Sequence, residues 1–233
     1  MTETVGRAVV TEIRFAGTAA YVVEPEGATA ARPGIVYAHG GTGPGKHIFL
    51  WQALEVARAG FAVLLADTSL QWQGDADADR RTLMAAVETQ RRALDVLEER
   101  GATRLGYFGH SLGGTQGAIL SAVEPRLDAI VIGAMGTGVA DWLRATGAYD
   151  ETYLEQIDRL DPRHFVSIPG PRRLLFQHGR ADDDVPFKAG RALYDAAAEP
   201  KRWLEYDCGH GVDGHRPALA DRIAFFGETL PFA

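Results

Sequence analysis

The stretch RLGYFGHSLGGTQGAIL, Arg104 to Leu120, decides the fold. Leu105, Tyr107 and Phe108 read as the end of a buried strand, and Thr115 to Val123 as a helix rich in small and apolar residues. Between them stands Gly109-His110-Ser111-Leu112-Gly113, the pattern G-x-S-x-G. In that pattern the serine sits on a sharp strand-to-helix turn that tolerates only very small neighbours, and its hydroxyl is held above the C-terminal edge of the sheet. The same five residues also suit a tight turn with an incidental serine. A hydroxyl is a poor nucleophile at neutral pH, so Ser111 acts as one only if the chain also supplies a base, an acid and an oxyanion site.

Outward from this junction, apolar runs of strand length alternate with helical patterns, which predicts an α/β fold: a mostly parallel central sheet of about eight strands with helices on both faces. Ala8 to Phe15 and Thr18 to Glu24, separated by Ala16-Gly17, read instead as an antiparallel N-terminal hairpin. Further strands are expected at Gly34 to Ala38, Phe61 to Ala66, Ala129 to Ala134, Arg173 to Gln177 and Arg202 to Tyr206. Helices are expected at Phe49 to Ala59, Asp79 to Glu99, Phe187 to Ala198 and Arg216 to Thr229. No long linker divides the chain, so residues 1–233 are expected to form one domain.

About thirty residues without a strand, 137–169, interrupt the alternation, and an insertion of that length in a compact domain is expected to be a small cap or binding segment. It offers Trp142, Tyr149 and Tyr153 as candidate walls of a substrate pocket, which would favour short acyl chains or a compact ring.

Composition excludes several classes. Of 233 residues, 46% are hydrophobic and 24% charged, ordinary globular values that argue against disorder. A formal net charge of -7 and a pI near 5.5 repel phosphate backbones and anionic lipid, so neither nucleic acid nor a membrane is an expected partner. Cys208 is the only cysteine, which rules out an internal disulfide and a cysteine-based metal site. The start, MTETVGRAVVTEIRF, lacks a basic segment followed by an apolar core, so a cytoplasmic protein is expected, either monomer or homodimer.

The acid should lie after the strand Leu174 to Gln177, in His178-Gly179-Arg180-Ala181-Asp182-Asp183-Asp184-Val185-Pro186, on the same rim as Ser111. Three adjacent aspartates leave its register open. The base candidate is His210, after the last strand and flanked by Gly209 and Gly211. His215 is its rival, nearer the final helix and without flanking glycines. The oxyanion site should come from His39-Gly40-Gly41-Thr42-Gly43, with the N–H of Gly41 (alternatively Thr42) as one donor and that of Leu112 as the other.

With these motifs the chain resembles the α/β-hydrolases, specifically the small serine esterase and dienelactone-hydrolase-like branch. The resemblance spans HGG at His39 to Gly41, GHSLGG at Gly109 to Gly114, HGRADDDVP at His178 to Pro186 and CGHG at Cys208 to Gly211. It implies hydrolysis of small carboxylic esters through an acyl-enzyme, without a cofactor or metal, by Ser111, His210 and an acid. The family pattern H-G-x-x-D-x-x-V-P maps that acid to Asp182. Dienelactone hydrolases carry a cysteine nucleophile where this chain has Ser111, so ester hydrolysis is favoured over that particular activity. An acyltransferase, lactonase or perhydrolase could use the same residues.

One motif competes. Gly40-Gly41-Thr42-Gly43-Pro44-Gly45-Lys46 matches the nucleotide-binding pattern G-x-x-x-x-G-K, but His47 replaces the magnesium-binding Ser/Thr and Pro44 removes a backbone N–H. Metal binding by Asp207, His210, Asp213 and His215 matches no common ligand spacing. A non-catalytic binding protein on the same fold is the third class; it would be expected to lack at least one of the catalytic residues, and none is missing here.

Overall fold

The computed structural model describes residues 2–27, 31–41, 45–68, 70 and 73–232. Among these, nine strands form one sheet: β1 (Thr2–Val5), β2 (Ala8–Phe15), β3 (Thr18–Pro25), β4 (Arg32–Ala38), β5 (Ala62–Ala66), β6 (Ala102–His110), β7 (Leu127–Gly133), β8 (Arg173–Gly179) and β9 (Lys201–Tyr206). Their spatial order is β1-β2-β3-β5-β4-β6-β7-β8-β9. From β5 to β9 all pairings are parallel, whereas β1 to β3 pair antiparallel and join the rest through an antiparallel contact with β5. The expected count of about eight is one short, because the polar run Thr2 to Val5 carries no apolar alternation and becomes a strand only by pairing with β2.

The helices are α1 (Leu50–Arg58), α2 (Ala76–Glu99), α3 (Leu112–Val123), α4 (Val139–Thr146), α5 (Glu151–Asp158), α6 (Arg163–Val166), α7 (Phe187–Ala196) and α8 (Arg216–Thr229). Alternate residues of the central strands face two separate cores. Val36, Tyr107, Ile130 and Phe176 pack with Leu94, Leu97 and Leu120 of α2 and α3. Ile35, Phe108, Val131 and Leu175 pack with Val56 of α1 and Phe225 and Phe226 of α8. Burial on both faces is why β4 to β8 read as nearly continuous apolar runs.

Two boundaries differ from expectation. The second helix begins at Ala76 rather than Asp79, because Asp75 caps it by accepting from the Ala78 N–H at 2.7 Å. The helix after Ser111 begins at Leu112 rather than Thr115. Gly113 and Gly114 are poor helix formers, yet both are buried in its first turn.

The interruption at 137–169 divides in two. Helices α4 and α5 build a small core of their own from Ala140, Leu143, Tyr153, Leu154 and Ile157. Val166 of α6 belongs to the main core. Buried Asp161 ties the two ends of the helical pair together, accepting from the Thr137 hydroxyl (2.8 Å), the Gly138 N–H (2.6 Å) and the Arg163 N–H (3.0 Å).

Candidate active site

Ser111 has φ 54° and ψ −121°, a conformation that L-residues rarely adopt and that costs on the order of 1–3 kcal/mol. The turn is held by a bond from the Ser111 N–H to the Gly133 carbonyl (2.9 Å) and one from the Gly114 N–H to the Ser111 carbonyl (2.7 Å). Backbone crosses backbone here without room for side chains. A Cβ on Gly109 would lie 2.0 Å from the Gly113 oxygen, and one on Gly113 2.3 Å from the Ala38 oxygen. The buried Tyr107 hydroxyl donates to the same Gly113 carbonyl at 2.7 Å.

Asp182 and His210 meet across the ends of β8 and β9. The His210 Nδ1–H donates to Oδ1 and Oδ2 of Asp182 at 3.1 and 3.0 Å. With Nδ1 as donor to an ionised carboxylate, Nε2 is left as the acceptor. Oδ1 of Asp182 also accepts from the N–H groups of Asp184 (3.0 Å) and Val185 (2.8 Å), so the loop after β8 wraps around this carboxylate. Asp183 and Asp184 are exposed. His215 stands at the N-cap position of α8 without a side-chain capping bond and packs against the Tyr206 ring at 5.5 Å, on a different partner from His210.

Gly41 and Ser111 line one cavity, and a Cβ on the preceding Gly40 would sit 3.1 Å from Ser111 Oγ. Buried His39 donates from Nδ1 to the Gly40 carbonyl at 3.1 Å. Carbonyl and following N–H point oppositely across a trans peptide, so this bond sets the direction of the Gly41 N–H. Leu112 opens α3 and its N–H lacks an intrahelical acceptor. Thr42, the alternative donor, lies outside the described residues.

The cavity measures about 710 Å³. Ser111, Leu112 and His210 contribute to it, together with an apolar wall of Leu70, Met135, Val139, Trp142, Leu143 and Val185. Of the three aromatic residues expected as walls, only Trp142 lines it; Tyr149 and Tyr153 do not. Tyr153 is buried in the α4–α5 core, its hydroxyl donating to Asp79 at 2.8 Å, and Tyr149 stacks on it at 4.5 Å. Burial and the Asp79 carboxylate push the Tyr153 phenol well above its ordinary pKa. Tyr153 of α5 is turned toward Asp79 of α2 and Tyr149, in the bend before α5, stacks on it, so the wall is more aliphatic than the sequence suggests.

Lys46, the lysine of the G-x-x-x-x-G-K pattern, is committed elsewhere: Nζ lies 2.7 Å from Asp67 Oδ2, and its own N–H donates to Oδ1 at 3.0 Å. Asp207 pairs with Arg180 and Asp213 with His110, so the four-residue metal set named from sequence does not assemble. Among the described residues, Asp182, Asp184 and His210 alone bring three possible ligand atoms within 4.8 Å, and two of these residues are already bonded to each other.

Three buried or nearly buried histidines were not singled out from sequence. His39, His110 and His178 each stand in one of the glycine motifs, and that adjacency was the available signal. His178 donates from Nε2 to the Val185 carbonyl at 2.9 Å and lies 3.5 Å from Asp182 Oδ2. Its burial lowers its pKa, which keeps it from competing with His210 as a cation beside the carboxylate.

The nine-stranded, mostly parallel sheet with an antiparallel N-terminal hairpin, helices on both faces and Ser111 at positive φ after β6 matches an α/β-hydrolase fold. Solved structures with this fold match nearly the whole chain. Est1E from Butyrivibrio proteoclasticus, in a form with ferulic acid bound, aligns with TM-score 0.76 and 19% identity over 94% of this chain and 98% of its own. Acetyl xylan esterase 1 from a Thermoanaerobacterium species aligns with TM-score 0.72 and 20% identity over 97% of this chain and 85% of its own. A cold-adapted esterase from an Arctic intertidal metagenomic library gives TM-score 0.70 and 15% identity over 99% and 97%. No protein-family model and no curated protein matches the chain. No helix among the described residues is long and apolar enough to cross a membrane.

Proposed function

We propose that the protein is a serine hydrolase that cleaves carboxylic esters of small substrates through an acyl-enzyme. The observation that carries this reading is the His210–Asp182 bond, with Nε2 of His210 left as acceptor in the cavity that Ser111 lines. His210 Nε2 takes the Ser111 proton as Oγ bonds to the ester carbonyl carbon, and the carbonyl electron pair moves onto oxygen, where the N–H groups of Gly41 and Leu112 hold it. Collapse expels the alcohol, which takes its proton from His210. Water then repeats the sequence on the acyl-serine and releases the acid. Asp182 holds the His210 tautomer and stabilises its cation without taking the proton.

Two of the structural relatives, acetyl xylan esterase 1 and the cold-adapted esterase, are esterases by name, which favours hydrolysis over acyl transfer. A cavity of about 710 Å³ lies within the roughly 300–1,000 Å³ range of drug-sized ligands, so an acyl or alcohol group of aryl size fits the apolar wall. The test is a panel of p-nitrophenyl and aryl esters assayed with wild type and Ser111→Ala side by side. Loss on the order of 10⁶ in kcat is expected for the variant. Retention of substantial turnover in a clean preparation rejects the nucleophile.

A further inference from the structure

His110 bridges the serine turn and the loop carrying His210. Its Nε2 lies 2.8 Å from the His210 carbonyl and 3.2 Å from Asp213 Oδ1. A carbonyl only accepts, so Nε2 carries the proton. The His110 ring sits 4.8 Å from the His210 ring and meets Phe49 edge-on at 6.4 Å. The loop it reaches is otherwise held by the Ala181 N–H on the Cys208 carbonyl (3.0 Å), the Asp207–Arg180 pair, the His210–Asp182 bond and the buried Val212 side chain. β9 ends at Tyr206, and from Asp207 to His215 the backbone is a run of bends and turns outside the sheet. The His210 carbonyl also accepts from the Val212 N–H at 2.8 Å, so the bond from His110 falls on the carbonyl that closes a tight turn.

We propose that His110 is a positioning residue: its Nε2–H, bonded to the His210 carbonyl and braced by Asp213, sets the approach of the His210 imidazole to Ser111, the next residue in the chain. This rests on the serine-hydrolase reading above. Electrostatics agree with it. Burial holds the His110 pKa below the ordinary histidine value; Asp213 and the carbonyl bond oppose that shift, while His210 and Arg222 add to it. A neutral His110 leaves His210 free to take up a proton in each half-reaction, whereas a cation 4.8 Å away would oppose it.

The test uses the full chain with four measurements. His110→Phe keeps a ring against Phe49 and His210 but removes the donor, while His110→Gln restores an N–H at a similar reach. For His110→Phe, kcat on p-nitrophenyl butyrate should fall on the order of 10²-fold, as expected when a reacting group is misplaced by about an ångström. KM should stay within about twofold, and fluorophosphonate labelling of Ser111 should slow in parallel. His110→Gln should recover most of the lost kcat. Imidazole ¹⁵N NMR of the wild type should show His110 with its proton on Nε2 and titrating below the ordinary histidine range.

Undiminished kcat in His110→Phe, a Gln variant as impaired as the Phe variant, or a proton on Nδ1 each overturns the proposal. Failure of the serine-hydrolase reading shows separately, as full activity in Ser111→Ala. The tautomer still tests His110 in that event, as does amide exchange from Gly209 to Val212, which should quicken in His110→Phe and, if unchanged, overturns the role.

Discussion

His210 donates Nδ1–H to Asp182 at 3.0 Å, and the Asp182 side chain is wholly withdrawn from solvent. The adjacent aspartates share its sequence context but not this contact. Asp182→Asn should therefore lower kcat roughly 10⁴-fold, because an amide can present an N–H to Nδ1 and select the wrong tautomer. Asp183→Asn should leave kcat near wild type, and Asp184→Asn should act mainly on KM through its place on the cavity wall. Steady-state kinetics on the three variants decides. A sensitive Asp183 would contradict the geometry.

Gly113 and Gly41 should fail differently. A methyl at Gly113 meets the Ala38 backbone oxygen at 2.3 Å, which no rotamer can relieve, so Gly113→Ala should destabilise the fold by about 3 kcal/mol or more. Gly41 has φ 71° with open space around its Cβ position. Gly41→Ala should cost only about 1 kcal/mol of stability while lowering kcat through a displaced N–H. Urea unfolding with esterase assays separates the two.

Trp142 and Tyr153 also divide by role. Trp142 is 58% exposed yet lines the cavity, so Trp142→Ala should shift the substrate optimum toward bulkier esters with little change in stability. Tyr153→Phe removes the bond to Asp79, which also accepts from the Gln73 and Gly74 N–H groups. It should lower stability by about 1–2 kcal/mol and leave ester preference unchanged. A chain-length series and thermal melts on both variants check this.

Stability should carry an acid-dependent contribution from Glu124. Burial alone would raise its pKa, but bonds from Arg126 and Arg91 bring it from 4.5 down to about 2. A carboxylate depressed in the folded state stabilises above its unfolded pKa, and that contribution fades as pH falls from 4.5 to about 2. Glu124→Gln should thus cost about 2 kcal/mol near neutrality. The gap from wild type should close over that acid window in urea titrations; a gap independent of pH would contradict the assignment.

Lys46 is the residue on which the nucleotide reading and the observed pairing diverge. Lys46→Met leaves Asp67 without its ammonium, and the melting temperature should drop while kcat changes little. Mg-ATP should shift the melting temperature of neither protein. A clear shift would restore phosphate binding by the glycine loop.

The parallel sheet and the serine turn were legible locally. Ile35–Ala38 of β4, Ala62–Ala66 of β5 and Ala129–Gly133 of β7 are short apolar runs, and Gly109 and Gly113 flank Ser111 because the chain crosses itself there. Alternation and glycine spacing depend on near neighbours, so they survive in a linear reading. Partner choice across long separations does not. His110 meets His210 at a separation of 100 residues, Tyr153 meets Asp79 at 74, and Asp182 meets His210 at 28. The sequence by itself determined which residue types reach the C-terminal rim. Only the packed structure decided which aspartate faces His210, which aromatic faces the cavity and where Lys46 points, because each of those choices is a competition for a partner that folding brings within hydrogen-bond range.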